Sequence, residues 1–266
     1  MQPSRGGITM NKIITFAYGV VCYAIFFATF LYAIGFVGNF AVPKTIDGSP
    51  TGPLAWALLT NVLLLGVFAI QHSVMARPAF KRWWTRYVPK PVERSTYVLF
   101  SSIALIVLFV FWQPLGGVVW QVQNPIGQII LYTLFAFGWG LVLASTFLIN
   151  HFDLFGLRQV WLHLRGKGYT DLGFVTPGPY KLVRHPLYVG WFFAFWATPT
   201  MTVTHLVFAG ATTAYILIAI QLEERDLVKA LPQYDEYRRR VPMLIPFVNR
   251  RRSATNPSRQ VGTDTI

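Results

Sequence analysis

Four long stretches of this chain contain no lysine, arginine, aspartate or glutamate: residues 13–37, 54–70, 95–112 and 126–148. A helix needs roughly 20 mostly apolar residues to cross a bilayer, and a charged side chain at its centre costs about 2.5–3.5 kcal/mol. Because lipid offers the backbone no hydrogen-bond partners, helices are the form in which these stretches can cross it. The chain is therefore predicted to be all-α, a polytopic membrane helical bundle.

Two shorter apolar runs follow, at 186–198 and 205–222, on either side of Pro199-Thr200. They are predicted to form a helical hairpin whose first arm is short or tilted, which gives five to six transmembrane helices in all. Only 12% of the residues are charged and the mean hydropathy is +0.45. Soluble domains carry about a quarter charged residues, so the composition also indicates an integral membrane protein.

Nearly all of the basic residues fall on one side of this bundle. The net charge is +13, but long apolar runs separate the basic clusters and no nucleic-acid-binding motif occurs, so nucleic acid is not an expected partner. With six crossings, Lys44 is the only basic residue on the side opposite to both termini. The positive-inside rule then predicts that both termini lie in the cytoplasm, and the lipid bilayer is an expected partner.

Three parts are expected: transmembrane helices at 1–148, a loop, hairpin and tail that form the functional region at 149–246, and a disordered basic tail at 247–266. Cys22 is the only cysteine, so no intrachain disulfide is possible. No zinc-ligand spacing occurs, so no metal is expected, and the oligomeric state stays open. A short amphipathic helix is predicted from apolar residues that share one helical face, namely Leu227, Val228, Leu231 and Tyr234.

The segment from Arg184 to Gly190 (RHPLYVG) follows the turn Gly178-Pro179-Tyr180 and opens directly into an apolar run. Pro186 suits the first turn of a helix, where its missing N–H is no loss, and Gly190 allows a ligand or a neighbouring backbone to approach closely. Two interpretations stay open: an anchor at the lipid headgroups, or a site for a polar cofactor at the mouth of the hairpin.

A pair of carboxylates, Glu223-Glu224, lies at the end of the last apolar run. Carboxylates are unfavourable near a helix C-terminus, because the helix dipole is negative there. The pair therefore predicts cationic partners. Arg184, Arg225 and a positively charged ligand are the alternatives.

Five ordered elements resemble the isoprenylcysteine carboxyl methyltransferase superfamily, which includes phospholipid N-methyltransferases. They lie within residues 171–246 and are Val175-Thr-x-Gly178-x-Tyr180, Arg184-His185-Pro186-x-Tyr188-x-Gly190-Trp191, Glu223-Glu224, Tyr234-x-x-Tyr237 and Arg240-Val241-Pro242. The resemblance implies S-adenosyl-L-methionine as the cofactor, held between loop, hairpin and tail. It also implies the residues around that cofactor: Leu172, Gly173, Phe174, Val175, Tyr180, Arg184, His185, Pro186, Leu187, Tyr188, Gly190, Glu223 and Glu224.

One position departs from that pattern. The carboxyl methyltransferases have an arginine one turn before the glutamate, understood to engage the acceptor carboxylate, and this chain has Ala219 there. Two further blocks, Gln71-His72-Ser73-Val-Met-Ala-Arg77-Pro78 and Asn150-His151-Phe-Asp153-Leu-Phe-Gly156-Leu-Arg158-Gln159-Val-Trp161, are similar to the bacterial methanethiol S-methyltransferase branch. This resemblance implies methylation of a small thiol, methanethiol to dimethyl sulfide, by a protein of the bacterial inner membrane whose active site faces the cytoplasm.

Methyl transfer to a thiol requires the thiolate, because the neutral thiol is a much poorer nucleophile. Histidine titrates near neutrality, so His72 and His151 are the candidate bases. Asp153 is expected to orient His151, and Arg158 to favour the anion. Two alternatives remain: a methyltransferase for another lipid-soluble acceptor, such as a phospholipid amine or an isoprenoid thiol, and a non-enzymatic NnrU-like membrane protein.

Overall fold

The described residues, 11–247, are almost entirely helical in the computed structural model. Positions 248–266, nearly all of the predicted basic tail, lie outside the described residues. In chain order the elements are α1 (Lys12–Gly38), α2 (Leu54–Ala76), α3 (Pro78–Trp84), α4 (Lys90–Phe111), β1 (Val118–Gln121), α5 (Pro125–Ile149), α6 (His151–Leu154), α7 (Leu157–Leu164), a 3₁₀ turn (Gly178–Lys181), α8 (Pro186–Trp196), β2 (Thr200–Thr202), α9 (Val203–Ala230) and α10 (Pro232–Arg240).

Five of these helices, α1, α2, α4, α5 and α9, are long and apolar enough to cross a membrane. The expected all-α polytopic membrane bundle is thereby confirmed. Helix α8 has only 11 residues, so the first arm of the predicted hairpin is the short one. The division of the chain at 148/149 and 246/247 stays a prediction.

Polar side chains and prolines set the ends of the spans. The Asn11 side chain accepts a hydrogen bond from the N–H of Ile13 at the start of α1. The Asn124 side chain likewise accepts backbone N–H hydrogen bonds at the start of α5, where Pro125 is the first helical residue. Both arrangements satisfy N–H groups that a helix leaves unpaired. Helix α2 ends where Arg77 takes an extended conformation, which a residue before proline favours.

The predicted amphipathic tail helix is wrong in its bounds. Helix α9 continues through Leu227 to Ala230, and a separate helix begins at Pro232. Leu231 is extended, with φ −132° and ψ 99°, because proline disfavours the helical conformation in the residue before it. Glu223 therefore lies about two turns inside α9 rather than at its C-terminus.

A short antiparallel strand pair closes the end of the bundle opposite to Glu223. Strand β1 pairs with β2 in the register Gln121 to Thr200 and Trp120 to Met201. The Leu115 N–H donates to Thr204 Oγ1 at 2.7 Å. This end holds no residue of the predicted site, so it serves to fix the loop before α5 against the hairpin.

Helices α5 and α8 cross through a pair of glycines. A Cβ atom at Gly190 would lie 2.8 Å from the Gly138 carbonyl oxygen and 2.9 Å from the Val142 nitrogen. A Cβ atom at Gly138 would lie 2.5 Å from the Ala194 nitrogen. Real Cβ contacts are longer than this, so α8 can lie this close to α5 only with glycine at both positions. Gly190 was expected to allow close approach of either a ligand or a neighbouring backbone, and in the structure it is the backbone of α5 that approaches it.

Gly190→Ala should therefore destabilise the protein, by about 1–3 kcal/mol as for other overpacked sites. Gly140→Ala is the matched control, because Gly140 lies on α5 close to Gly138 but has nothing within 4 Å of its Cβ position. It should be neutral or slightly stabilising, since alanine favours a helix over glycine by about 1 kcal/mol. Thermal unfolding in detergent measures both, and equal melting temperatures would contradict the close crossing.

Candidate active site

Arg184 and Glu224 form a buried ion pair between the loop before α8 and α9. Arg184 Nε lies 2.6 Å from Glu224 Oε1, and His185 Nε2 lies 3.0 Å from the same oxygen. Arg184 Nη1 also donates to the main-chain oxygens of Arg238 and Val241, at 3.0 and 2.6 Å. Buried charges persist where charged and polar partners surround them. The loop, α9 and the tail are thus joined, and Arg184 is the cationic partner of Glu224.

Glu223 has a different environment. Its Oε2 atom accepts a hydrogen bond from Tyr188 Oη at 3.0 Å, and the side chain is half-buried. Among the described residues, no arginine, lysine or histidine forms an ion pair with it. An ionised carboxylate can accept about four hydrogen bonds. Glu223 can therefore bind a positively charged or hydrogen-donating ligand.

An extended segment before the 3₁₀ turn runs alongside the tail. Leu172, Gly173 and Val175 are exposed there, and a Cβ at Gly173 would meet no atom within 4 Å. Phe174 instead packs on the tail, with its ring centroid 5.4 Å from that of Tyr237. The segment thus offers open apolar surface beside a fixed aromatic ring.

Two tail tyrosines belong to the same region. Tyr237 Oη donates to the main-chain oxygen of Tyr180 at 2.6 Å. Burial raises the pKa of the Tyr180 hydroxyl, and the nearby Glu223 carboxylate raises it further, so this group stays neutral. The Tyr234 hydroxyl is buried and has no hydrogen-bond partner among the described residues. A buried unpaired hydroxyl is costly, which makes Tyr234 a candidate ligand contact that the motif contained but the assignment of single residues missed.

The remaining motif residues serve the start of α8. Pro186 is the first residue of the helix and is buried, as its sequence position predicts, and Leu187 is half-buried beside it. The backbone N–H groups of Arg184 and His185 donate to the main-chain oxygens of Pro242 and Met243, at 2.9 and 3.2 Å. The tail therefore holds the mouth of the hairpin along its backbone as well as through the Arg184 side chain.

His151 is buried, and each of its ring nitrogens has a close partner. Nδ1 lies 2.8 Å from Thr146 Oγ1, and Nε2 lies 2.8 Å from Tyr23 Oη. The imidazole also stacks on Phe147, with centroids 4.1 Å apart. Burial lowers the pKa of His151, so the ring is neutral near pH 7.

The expected pair of Asp153 with His151 is not formed. Asp153 Oδ1 accepts from Arg158 Nη1 at 2.9 Å, and Oδ2 accepts from Tyr169 Oη at 3.2 Å. Arg158 further donates to Thr170. Residues two apart in a helical turn do not face each other, which is why Asp153 turns away from His151. The charge of Arg158 is thereby already paired.

His72 lies among polar groups of α4. Its Nδ1 atom is 3.2 Å from Ser101 Oγ, and Tyr97 Oη is 3.0 Å from both ring nitrogens. Phe68 stacks on the imidazole, with centroids 5.2 Å apart. Tyr97 and Ser101 were not identified from the sequence, because no local pattern distinguishes them from other residues of an apolar helix.

Helices α2 and α9 meet along a seam that ends near His72. Ser73 Oγ lies 3.1 Å from Tyr215 Oη, and one turn further on Arg77 Nη1 lies 2.9 Å from Asp226 Oδ2. Beyond this ion pair a groove of about 540 Å³ opens, whose charged lining residues are Arg77, Arg82, Asp226 and Lys229. The seam between α2 and α9 thus runs from the segment that carries His72 to the open groove.

Several known proteins are similar to this chain in sequence. Residues 141–229 match the isoprenylcysteine carboxyl methyltransferase (ICMT) family. Methanethiol S-methyltransferase of Crocosphaera subtropica is 59% identical over 94% of this chain and 98% of that protein. The Mycobacterium tuberculosis protein of the same name is 54% identical over 91% and 99%, respectively.

A more distant relative is Nurim of Sus scrofa, 32% identical over 68% of this chain and 70% of that protein. No solved structure matches the chain. High identity over nearly the full length of both bacterial relatives establishes the relationship for the whole bundle, including the blocks around His72 and His151. The chain is a membrane methyltransferase and belongs to the methanethiol S-methyltransferase family.

Proposed function

We propose that this chain transfers a methyl group from S-adenosyl-L-methionine to methanethiol and releases dimethyl sulfide. The observation that carries the proposal is the Glu223 carboxylate, which Tyr188 holds at 3.0 Å and which has no cationic partner among the described residues. The names of the bacterial relatives support the acceptor. When bound, S-adenosylmethionine supplies a methyl group on a positively charged sulfonium, which a thiolate can attack.

The residues at the mouth of the hairpin fit this cofactor. Glu223 offers a carboxylate for its cationic or hydrogen-donating groups, and the buried Tyr234 hydroxyl lacks a partner. The exposed Leu172 and Val175 offer apolar contact to the adenine. Tyr180, His185 and Leu187 complete the proposed set, and Arg184 and Glu224 act by holding loop and tail together.

The acceptor side of the site fits a small uncharged thiol. Ala219 lies on α9 between Tyr215 and Glu223, one turn from each, and it is half-buried. A methyl side chain leaves room there and supplies no positive charge, so a carboxylate would lack a counter-ion. A small apolar thiol needs none.

The proposed site faces the cytoplasm. The ends of α2, α5 and α9 and the starts of α4 and α8 lie at this end of the bundle, and the connecting segments carry most of the basic residues. Positive charge in short loops favours the cytoplasmic side. The cofactor is made and kept in that compartment, so the proposed orientation also gives it access.

Sealed membrane vesicles test donor, acceptor and side together. Inverted vesicles that contain the chain should convert methanethiol to dimethyl sulfide when S-adenosylmethionine with a deuterated methyl group is added outside. Headspace mass spectrometry should find the deuterium in the product. Right-side-out vesicles should form little product, because the charged cofactor does not cross the bilayer.

Vesicles from cells without the chain are the control. Product from right-side-out vesicles alone would contradict the orientation. Binding of the cofactor without any product from methanethiol would contradict the acceptor, and unlabelled product would contradict the methyl donor.

A further inference from the structure

We infer that methanethiol binds against His72, Tyr97 and Tyr215, between α2, α4 and α9, and that His72 is the base that removes the thiol proton. The inference rests on the proposed function and concerns the acceptor side of that site. It chooses between two histidines that the sequence left equivalent. Four features carry it: the hydrogen bonds of each histidine, the position of Tyr215, the small side chain of Ala219 and the route to water.

The hydrogen bonds of His151 leave it no free lone pair. Thr146 Oγ1 donates its only proton to the Leu143 carbonyl oxygen at 2.7 Å, so toward His151 it can only accept. The Nδ1 atom of His151 must therefore carry the proton, and Nε2 accepts from Tyr23 Oη at 2.8 Å. A neutral imidazole has one donor and one acceptor, and both are used. His151 positions α1 against the end of α5.

The hydrogen bonds of His72 are less complete. Tyr97 Oη lies 3.0 Å from both ring nitrogens, and the lone pairs of the two nitrogens diverge, so the hydroxyl is well aligned with neither. Ser101 Oγ is the further partner of Nδ1, at 3.2 Å. With Nδ1 protonated toward Ser101, the Nε2 lone pair has no aligned donor among residues 11–247. His72 can thus accept a proton from a ligand.

Tyr215 connects this histidine to the cofactor side. Its hydroxyl is 3.1 Å from Ser73, the residue after His72, and its ring lies edge-on to Phe68, with centroids 6.3 Å apart. Glu223 follows Tyr215 by two turns on α9, about 12 Å along the helix axis. The small side chain of Ala219 lies between them. An acceptor beside Ala219 would lie between the turn of α9 that contacts Ser73 through Tyr215 and the turn that carries Glu223.

The proton lost by the thiol passes through His72 to water. The thiol S–H proton passes to His72 Nε2 and leaves a thiolate. A new carbon–sulfur bond forms from this sulfur to the transferred methyl group as the methyl bond to the donor sulfur breaks. The imidazolium then releases one proton to water. Arg77, five residues further along α2, lines the open groove, so water lies about 8 Å away along the helix axis.

Two acceptors of different acidity test the inference. His72→Ala should lower dimethyl sulfide formation from methanethiol by about 100-fold or more, as is typical for loss of a general base. Methaneselenol is already ionised at neutral pH and needs no base, so its methylation should fall less than about fivefold. External imidazole should restore part of the methanethiol activity. His72→Gln, which keeps hydrogen bonds to Ser101, should show the same selectivity if the alanine variant folds poorly.

His151→Gln should affect methanethiol and methaneselenol equally, and His163→Gln, on α7 outside the site, should change neither. Calorimetry should find S-adenosylhomocysteine binding unchanged in both His72 variants. Equal loss with both acceptors in the His72 variants, or full turnover of methanethiol, would overturn the role of His72. So would a thiol-selective loss in His151→Gln. An inactive wild-type protein would instead contradict the proposed function.

Discussion

Glu223→Ala is expected to abolish measurable binding of S-adenosylhomocysteine. The Glu223 carboxylate faces the proposed cofactor site, and Tyr188 is the only hydrogen-bond partner found for it among the described residues. Hydrogen bonds to a charged group contribute about 1.5–3 kcal/mol each, so two such bonds to the ligand represent a loss of about a hundredfold or more in affinity. Tyr188→Phe should weaken binding less, because the carboxylate remains but loses its orienting donor.

Isothermal titration calorimetry in detergent measures this effect. Glu236→Ala is the matched control, since Glu236 is an exposed carboxylate on α10 that pairs with Arg240. It should bind S-adenosylhomocysteine as the wild type does. Unchanged affinity in Glu223→Ala, with an unchanged melting temperature, would remove Glu223 from the cofactor site and with it the main support for the proposed function.

Arg184→Ala should produce the largest loss of stability. The side chain is 1% exposed and bonds to Glu224 and to two main-chain oxygens of the tail. Its removal leaves a buried carboxylate without a counter-ion, and breaking one partner of such a pair typically costs about 3–5 kcal/mol. Arg184→Lys should restore little, because a lysine cannot reproduce the planar set of donors.

The melting temperature of the purified protein and its yield after extraction report this loss. Arg239→Ala is the control: Arg239 pairs with Asp235, but its side chain is 78% exposed, and exposed pairs contribute about 0–1 kcal/mol. A melting temperature for Arg184→Ala close to that of the control would mean that the loop and the tail are held together by other contacts.

The membrane bundle and its methyltransferase motif were predictable because their signals are local. The absence of charge over residues 13–37, for example, predicts α1 to within about one residue at each end. The order of motif elements from Tyr180 to Pro242 indicated which segments meet. The bounds of the tail helix were less predictable, since the spacing of Leu227 and Tyr234 fits one continuous helix and Pro232 interrupts it.

The sequence by itself determined that this protein is a helical membrane bundle with a methyltransferase motif, because apolar length and motif order are properties of short segments. Only the tertiary structure distinguished Glu223 from Glu224 and His72 from His151. Each pair has similar sequence context, and the difference lies in partners far along the chain: Arg184 is 40 residues from Glu224, and Tyr23 is 128 residues from His151. A hydrogen bond is directional and short, so such partners are decided only when the helices have packed.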